Sequence, residues 1–140
     1  MLGLCLGLAG TLWAQVPTEQ FTLAWNHSIE KIRWEEDYRV TTQGLRLTEA
    51  RVKGTGAGME IPDDAVFSNG SWHYQPKLPT LPKLTLGRTP EAGDYDLCFA
   101  NNKGEASCYP LAHWIGKPEK RQAKVEVWGC ELTGIPQNPD

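Results

Sequence analysis

From Phe21 onward apolar and polar residues alternate with a period of two, which suits a β-strand and argues against a helix. Phe21, Leu23, Trp25 and His27 share one phase, with Thr22, Ala24 and Asn26 in the other. A second run, Trp34 to Val40, puts Trp34, Glu36, Tyr38 and Val40 in phase. After the loop Thr41 to Gly44, a third run reaches about Val52 with Leu45, Leu47, Glu49 and Arg51 in phase. The 14 glycines and 10 prolines break the remainder so often that short strands and turns are favoured over long helices. Further short runs fall near Ala65 to Phe67, Ser71 to Tyr74, Leu84 to Leu86, Gly93 to Phe99, Glu105 to Leu111 and Ala123 to Leu132, with a loop over His113 to Lys120. The expected fold is all-β: a single antiparallel sandwich or barrel of about seven to nine short strands.

At 140 residues the chain suits one domain with a real core. A net charge of -3 gives no basic surface, so no nucleic-acid partner is expected. Met1 to Ala14 carry no charge and are rich in Leu, Gly and Ala. Such a run is too short to span a bilayer, which takes roughly 20 residues, and it suits the apolar core of a secretory signal. It lacks a basic n-region, and Leu12 stands where a small residue is usual before the cut. The expected organisation is a signal peptide over residues 1–16, one all-β domain over 17–133 and a flexible tail over 134–140. The mature protein is then periplasmic or secreted, with no membrane span.

Export makes disulfides admissible. Cys98 and Cys108 flank a turn at Asn102 to Gly104, so two paired strands would bring them to bonding distance. Cys5 would leave with the signal, and Cys130 is then unpaired or competes for one of the other two. No C-x-x-C spacing occurs, which argues against a structural zinc.

Strict alternation through the second and third runs sets Val40 opposite Leu45, Tyr38 opposite Leu47, Glu36 opposite Glu49 and Trp34 opposite Arg51. Glu36, Glu49 and Arg51 would then meet on the inward face, with His27 near them if the strands run simply up and down. Two facing carboxylates on a buried surface need a neutralising partner. A salt-bridge network is one answer; a hard cation such as calcium or magnesium held by Glu30, Glu36 and Glu49 is another. The spacing matches no metal motif, and no cofactor is required. Ser28 is the one obvious nucleophile for hydrolysis, but neighbours on a strand face opposite ways, so His27 is badly placed as its base. The run K-G-T-G-A-G, Lys53 to Gly58, has neither dinucleotide nor Walker spacing and reads as a shaped loop, with Gly56 and Gly58 able to approach a ligand closely. The ligand-binding candidates are therefore His27, Ser28, Glu30, Glu36, Glu49, Arg51, Gly56 and Gly58.

The runs H-S-I-E-K-I-R-W-E-E-D-Y-R-V (His27 to Val40) and E-A-R-V-K-G-T-G-A-G-M-E (Glu49 to Glu60), with the later W-H-Y and L-P-K-L-T-L, resemble an uncharacterised bacterial family, domain of unknown function 1850. Glu49, Gly56, Ala57 and Gly58 fit the family's E-x-x-x-x-S-x-G-A-G segment, with Gly54 where serine is usual. The resemblance covers about Phe21 to Leu111. It implies a small exported or membrane-anchored protein, often encoded beside TRAP-type transporters of the TAXI class, with no established activity. The expected function is thus a non-enzymatic exported accessory or binding protein whose partner is the receptor or permease of such a transporter. The alternatives are a metal- or small-ligand-binding module built on the His/Glu/Arg cluster, and an envelope hydrolase.

Overall fold

The computed structural model describes residues 1–26, 32–53, 62–88, 94–101, 103–118 and 124–132. Among them the chain forms β1 (Leu2–Leu8), β2 (Thr11–Val16), β3 (Gln20–Asn26), β4 (Arg33–Thr41), β5 (Gly44–Lys53), β6 (Val66–Ser68), β7 (Ser71–Tyr74), β8 (Leu84–Gly87), β9 (Asp96–Ala100), β10 (Ala106–Pro110), the short helix α1 (Ala112–Ile115) and β11 (Lys124–Glu131). Two antiparallel sheets result, one in the order β2-β1-β11-β8 and one in the order β10-β9-β3-β4-β5-β7-β6. They make a sandwich-like all-β fold rather than a closed barrel. Nine strands coincide with the strand runs expected from the sequence; β1 and β2 are additional, and α1 overlaps the segment expected to be a loop.

The core lies where the two sheets face each other. Leu4 and Leu6 of β1, Val125 and Val127 of β11, Phe21 and Leu23 of β3, and Val40, Leu45 and Leu47 of β4 and β5 belong to one buried cluster. Each such side chain contributes about 1.5–3 kcal/mol on leaving water. Close approach of the sheets depends on Gly129 of β11, where a Cβ would lie 2.8 Å from Val40 Cγ1. Gly44 opens β5 with φ +131°, and a Cβ there would sit 2.3 Å from the carbonyl oxygen of Leu81. The main chains of Leu45 and Leu81 exchange hydrogen bonds of 2.7 and 2.9 Å at that point. Thr41 pairs with Gly44, so the expected four-residue loop is shorter, with Thr42 and Gln43 between paired residues.

The domain boundary expected after residue 16 falls inside the fold. β1 pairs with β11 from Leu2↔Glu131 to Gly7↔Glu126 and with β2 on its other edge. Leu4, Leu6 and Val16 are fully buried. Cys5, expected to leave, is joined to Cys130, expected to be unpaired or competing. The expected Cys98–Cys108 bond is present across the β9–β10 hairpin, between directly opposed residues. Among the described residues no helix is long and apolar enough to cross a membrane.

Candidate functional site

The seven-stranded sheet has two chemically distinct faces, and one residue decides which side chains go to which. The β4–β5 register is Val40↔Leu45 and Tyr38↔Leu47, as alternation requires, but then shifts so that Asp37 faces Glu49, Glu36 faces Ala50, Glu35 faces Arg51 and Trp34 faces Val52. Thr48 is the extra residue, a β-bulge of the kind that re-aims side chains. Its hydroxyl donates to the Asp37 carbonyl at 3.2 Å. Beyond the bulge Ala50 and Val52 take over the inward phase, while Glu49 and Arg51 turn outward. The expected meeting of Glu36 with Glu49 and Arg51 is therefore corrected: Glu36 stands on the opposite face from the other two.

On the outer face Arg51 gathers carboxylates from two strands. Its Nε donates to Glu35 at 2.9 Å, Nη1 and Nη2 donate to Asp37 at 2.7 and 2.8 Å, and Nη1 also donates to Glu49 at 2.6 Å. Arg33 donates to Glu35 at 3.1 Å and pairs with Asp96 at 3.5 Å. Thr22 donates to Asp37 at 2.6 Å. His73 faces Glu49 Oε2 through Nδ1 at 3.2 Å and the Ser68 carbonyl through Nε2 at 3.1 Å. Only the doubly protonated ring can donate to both.

Burial alone would raise the pKa of Glu35 and Asp37. For Glu35, hydrogen bonds from Arg51 and Arg33 outweigh burial and hold the carboxyl below its ordinary range. For Asp37, hydrogen bonds from Arg51 and Thr22 do the same. Hydrogen bonds to Asp37, Glu35 and Glu49 in turn raise the guanidinium of Arg51 against its own burial. A cleft of about 250 Å³ beside the network is lined by Arg33, Glu35, Arg51, Lys53, Asn69 and Ser71. Arg33 and Arg51 are shared among Glu35, Asp37, Glu49 and Asp96, which is the behaviour of a structural ion-pair network.

The inner face is different. Register carries one row through Leu97, Leu23, Glu36, Ala50 and Tyr74, and the next through Trp25, Trp34, Val52, Trp72 and Phe67. The rings of Trp25 and Trp34 stack with centroids 6.3 Å apart at 8°, Tyr95 tilts against Trp25 at 5.6 Å, and Phe67 meets Trp72 edge-on at 5.2 Å. Glu36 accepts from the Tyr38 hydroxyl at 2.7 Å. Burial raises the pKa of Glu36, an effect the Tyr38 hydrogen bond only partly offsets. The hydroxyls of Tyr74 and Tyr95 are raised by burial and then by the charge of Glu36, and that of Tyr38 likewise with its hydrogen bond added.

Of the residues expected to bind a ligand, His27, Ser28, Glu30, Gly56 and Gly58 lie outside the described residues. Glu49 and Arg51 meet as expected, in company with Glu35, Asp37, Arg33 and His73, which the alternation pattern did not single out. Among the described residues no group of three or more His, Cys, Asp or Glu side chains is arranged to hold a metal ion. A signal for the split was present: the apolar positions Leu45, Leu47, Ala50 and Val52 change phase once, at Thr48.

Fold and site together define a two-sheet all-β protein with an ion-pair network outside its larger sheet and an aromatic row with one carboxylate inside. Residues 21–110, more than half of the chain, match the family model described as Domain of unknown function (DUF1850), and the chain belongs to that family. The match begins within β3 and ends with β10, leaving β1, β2 and β11 outside it. No curated protein and no solved structure matches the chain.

Proposed function

We propose that this protein is an exported accessory or binding protein without catalytic chemistry of its own, working beside a TRAP-type transporter of the TAXI class. The transporter setting is supported by what the family resemblance implies. Export is supported by the two disulfides, which suit an oxidising compartment. The observation that carries the binding reading is Glu36, a half-buried carboxylate set against an aromatic row, while Glu35, Asp37 and Glu49 on the other face are paired with Arg51.

Capture with the oxidised, tagged protein in a host that expresses the transporter tests the partnership. The solute receptor or the permease is expected to co-purify at a defined ratio. A clean negative, with protein that melts cooperatively, would remove the transporter from the reading.

A further inference from the structure

We infer that the inner face of the seven-stranded sheet binds a small organic ammonium cation, with its charge against Glu36 and its alkyl groups against Trp25, Trp34 and Tyr95. This deepens the binding reading above and rests on it.

The first argument is charge. The basic side chains on the described strands of this sheet, from Arg33 to His73, all lie in the outward phase, and Glu36 is the only charged residue in the inward phase. Tyr38 gives Glu36 a hydrogen bond but no counter-charge. A cationic ligand would supply that counter-charge, which a neutral sugar cannot do and an anion would worsen.

The second argument is surface. Cations are attracted to the faces of Trp and Tyr rings, and here two stacked indoles and a tyrosine adjoin the carboxylate row. Trp25, Trp34, Tyr74 and Tyr95 are each only partly buried, so the rings keep accessible surface. An ammonium head with methyl or methylene groups matches both halves of the site, whereas an inorganic cation would use the carboxylate and leave the rings idle.

Calorimetric and tryptophan-fluorescence titrations of the oxidised full chain with choline chloride, at matched ionic strength, test the site. Saturable binding with indole quenching is expected, at least tenfold weaker in Glu36→Gln and several-fold weaker in Trp34→Leu. The uncharged isostere 3,3-dimethylbutan-1-ol is expected not to bind. Absence of saturable binding at roughly 10 mM choline, about ten times a 1 mM Kd, would overturn the inference. So would unchanged affinity in Glu36→Gln, or equal binding of the isostere. Should Glu36→Gln not fold, Trp34→Leu decides: unchanged choline affinity there overturns the site. Choline binding without transporter capture retains this site and removes the transporter, and capture without choline binding does the reverse.

Discussion

Thr48 donates from its hydroxyl to the main-chain carbonyl of Asp37 across 3.2 Å, at the point where β5 holds one residue more than β4. That hydrogen bond closes the bulge, and the bulge sends Glu49 and Arg51 outward while Ala50 and Val52 fill the core. Thr48→Ala removes the bond but keeps the extra residue, so a loss of about 1 kcal/mol is expected. It should be read as a lower urea midpoint at constant m-value. Deleting Thr48 leaves Leu45, Leu47, Ala50 and Val52 in strict alternation, so Glu49 and Arg51 stay outward and the strands pair without the bulge. Its expected outcome is a cooperative unfolding transition that is retained.

Arg51 is the hub of the outer network, with its guanidinium shared among Glu35, Asp37 and Glu49. Arg51→Met would leave three carboxylates facing one another, with the Arg33 guanidinium on Glu35 and the His73 ring beside Glu49 as the remaining described partners. The carboxylates keep 32–36% of their surface exposed, so water recovers part of the cost. A loss of roughly 2–3 kcal/mol is expected in equilibrium denaturation. Arg51→Lys retains the charge but cannot reproduce the forked geometry and should recover less than half of that loss. Full recovery with Lys would show that charge alone matters.

Much of this was legible in the sequence. Period-two alternation located β3, β4 and β5 because side-chain phase is a local property of an extended chain, and turn residues between short runs marked the other six. The Cys98–Cys108 bond was legible for the same reason: a hairpin turn sets its register locally. The face of Glu49 was not, since a single inserted residue reverses every later side chain, and Leu45, Leu47, Ala50 and Val52 reveal it only when the apolar positions are followed through Thr48. Leu2 to Leu8 reads as a leader because both a leader and a doubly buried strand are continuous apolar runs. In the fold this run pairs with β11, a long-range partner that no local pattern reveals.

Carboxylates on the two faces should act on stability with opposite sign as pH changes. Glu35 and Asp37 have folded pKa values below their ordinary 4.5 and 3.8, so their stabilisation is complete above those values and is lost as pH falls through the lower folded ones. Glu36 has its pKa raised, so its charged form is disfavoured by folding, and that penalty develops as pH rises above 4.5. Glu36→Gln is therefore expected to melt at or above the wild-type temperature at pH 7, with the difference vanishing below about pH 4. Asp37→Asn is expected to melt lower at pH 7 and to converge with wild type only in stronger acid. Melting curves between pH 2 and 8, a range set to span these carboxylate titrations, would check both; a lower melting temperature for Glu36→Gln at pH 7 would contradict the burial argument.

Cys5 and Cys130 are 125 residues apart in sequence and join neighbouring strands of the smaller sheet, whereas Cys98 and Cys108 are 10 apart. In the chain-entropy account the longer loop restricts the unfolded chain more, by about 5 kcal/mol against about 3 kcal/mol for the shorter. Cys5→Ser with Cys130→Ser is therefore expected to destabilise more than Cys98→Ser with Cys108→Ser, in denaturant titrations under non-reducing conditions. The same bond ties β1 to the core. Removing residues 1–16 would uncover the sites filled by Leu4, Leu6 and Val16, each fully buried, and leave one edge of β11 unpaired. The shortened chain should lose cooperative melting and associate through that edge. Full stability of the shortened chain would instead mean that these residues are dispensable to the fold, as a leader would be.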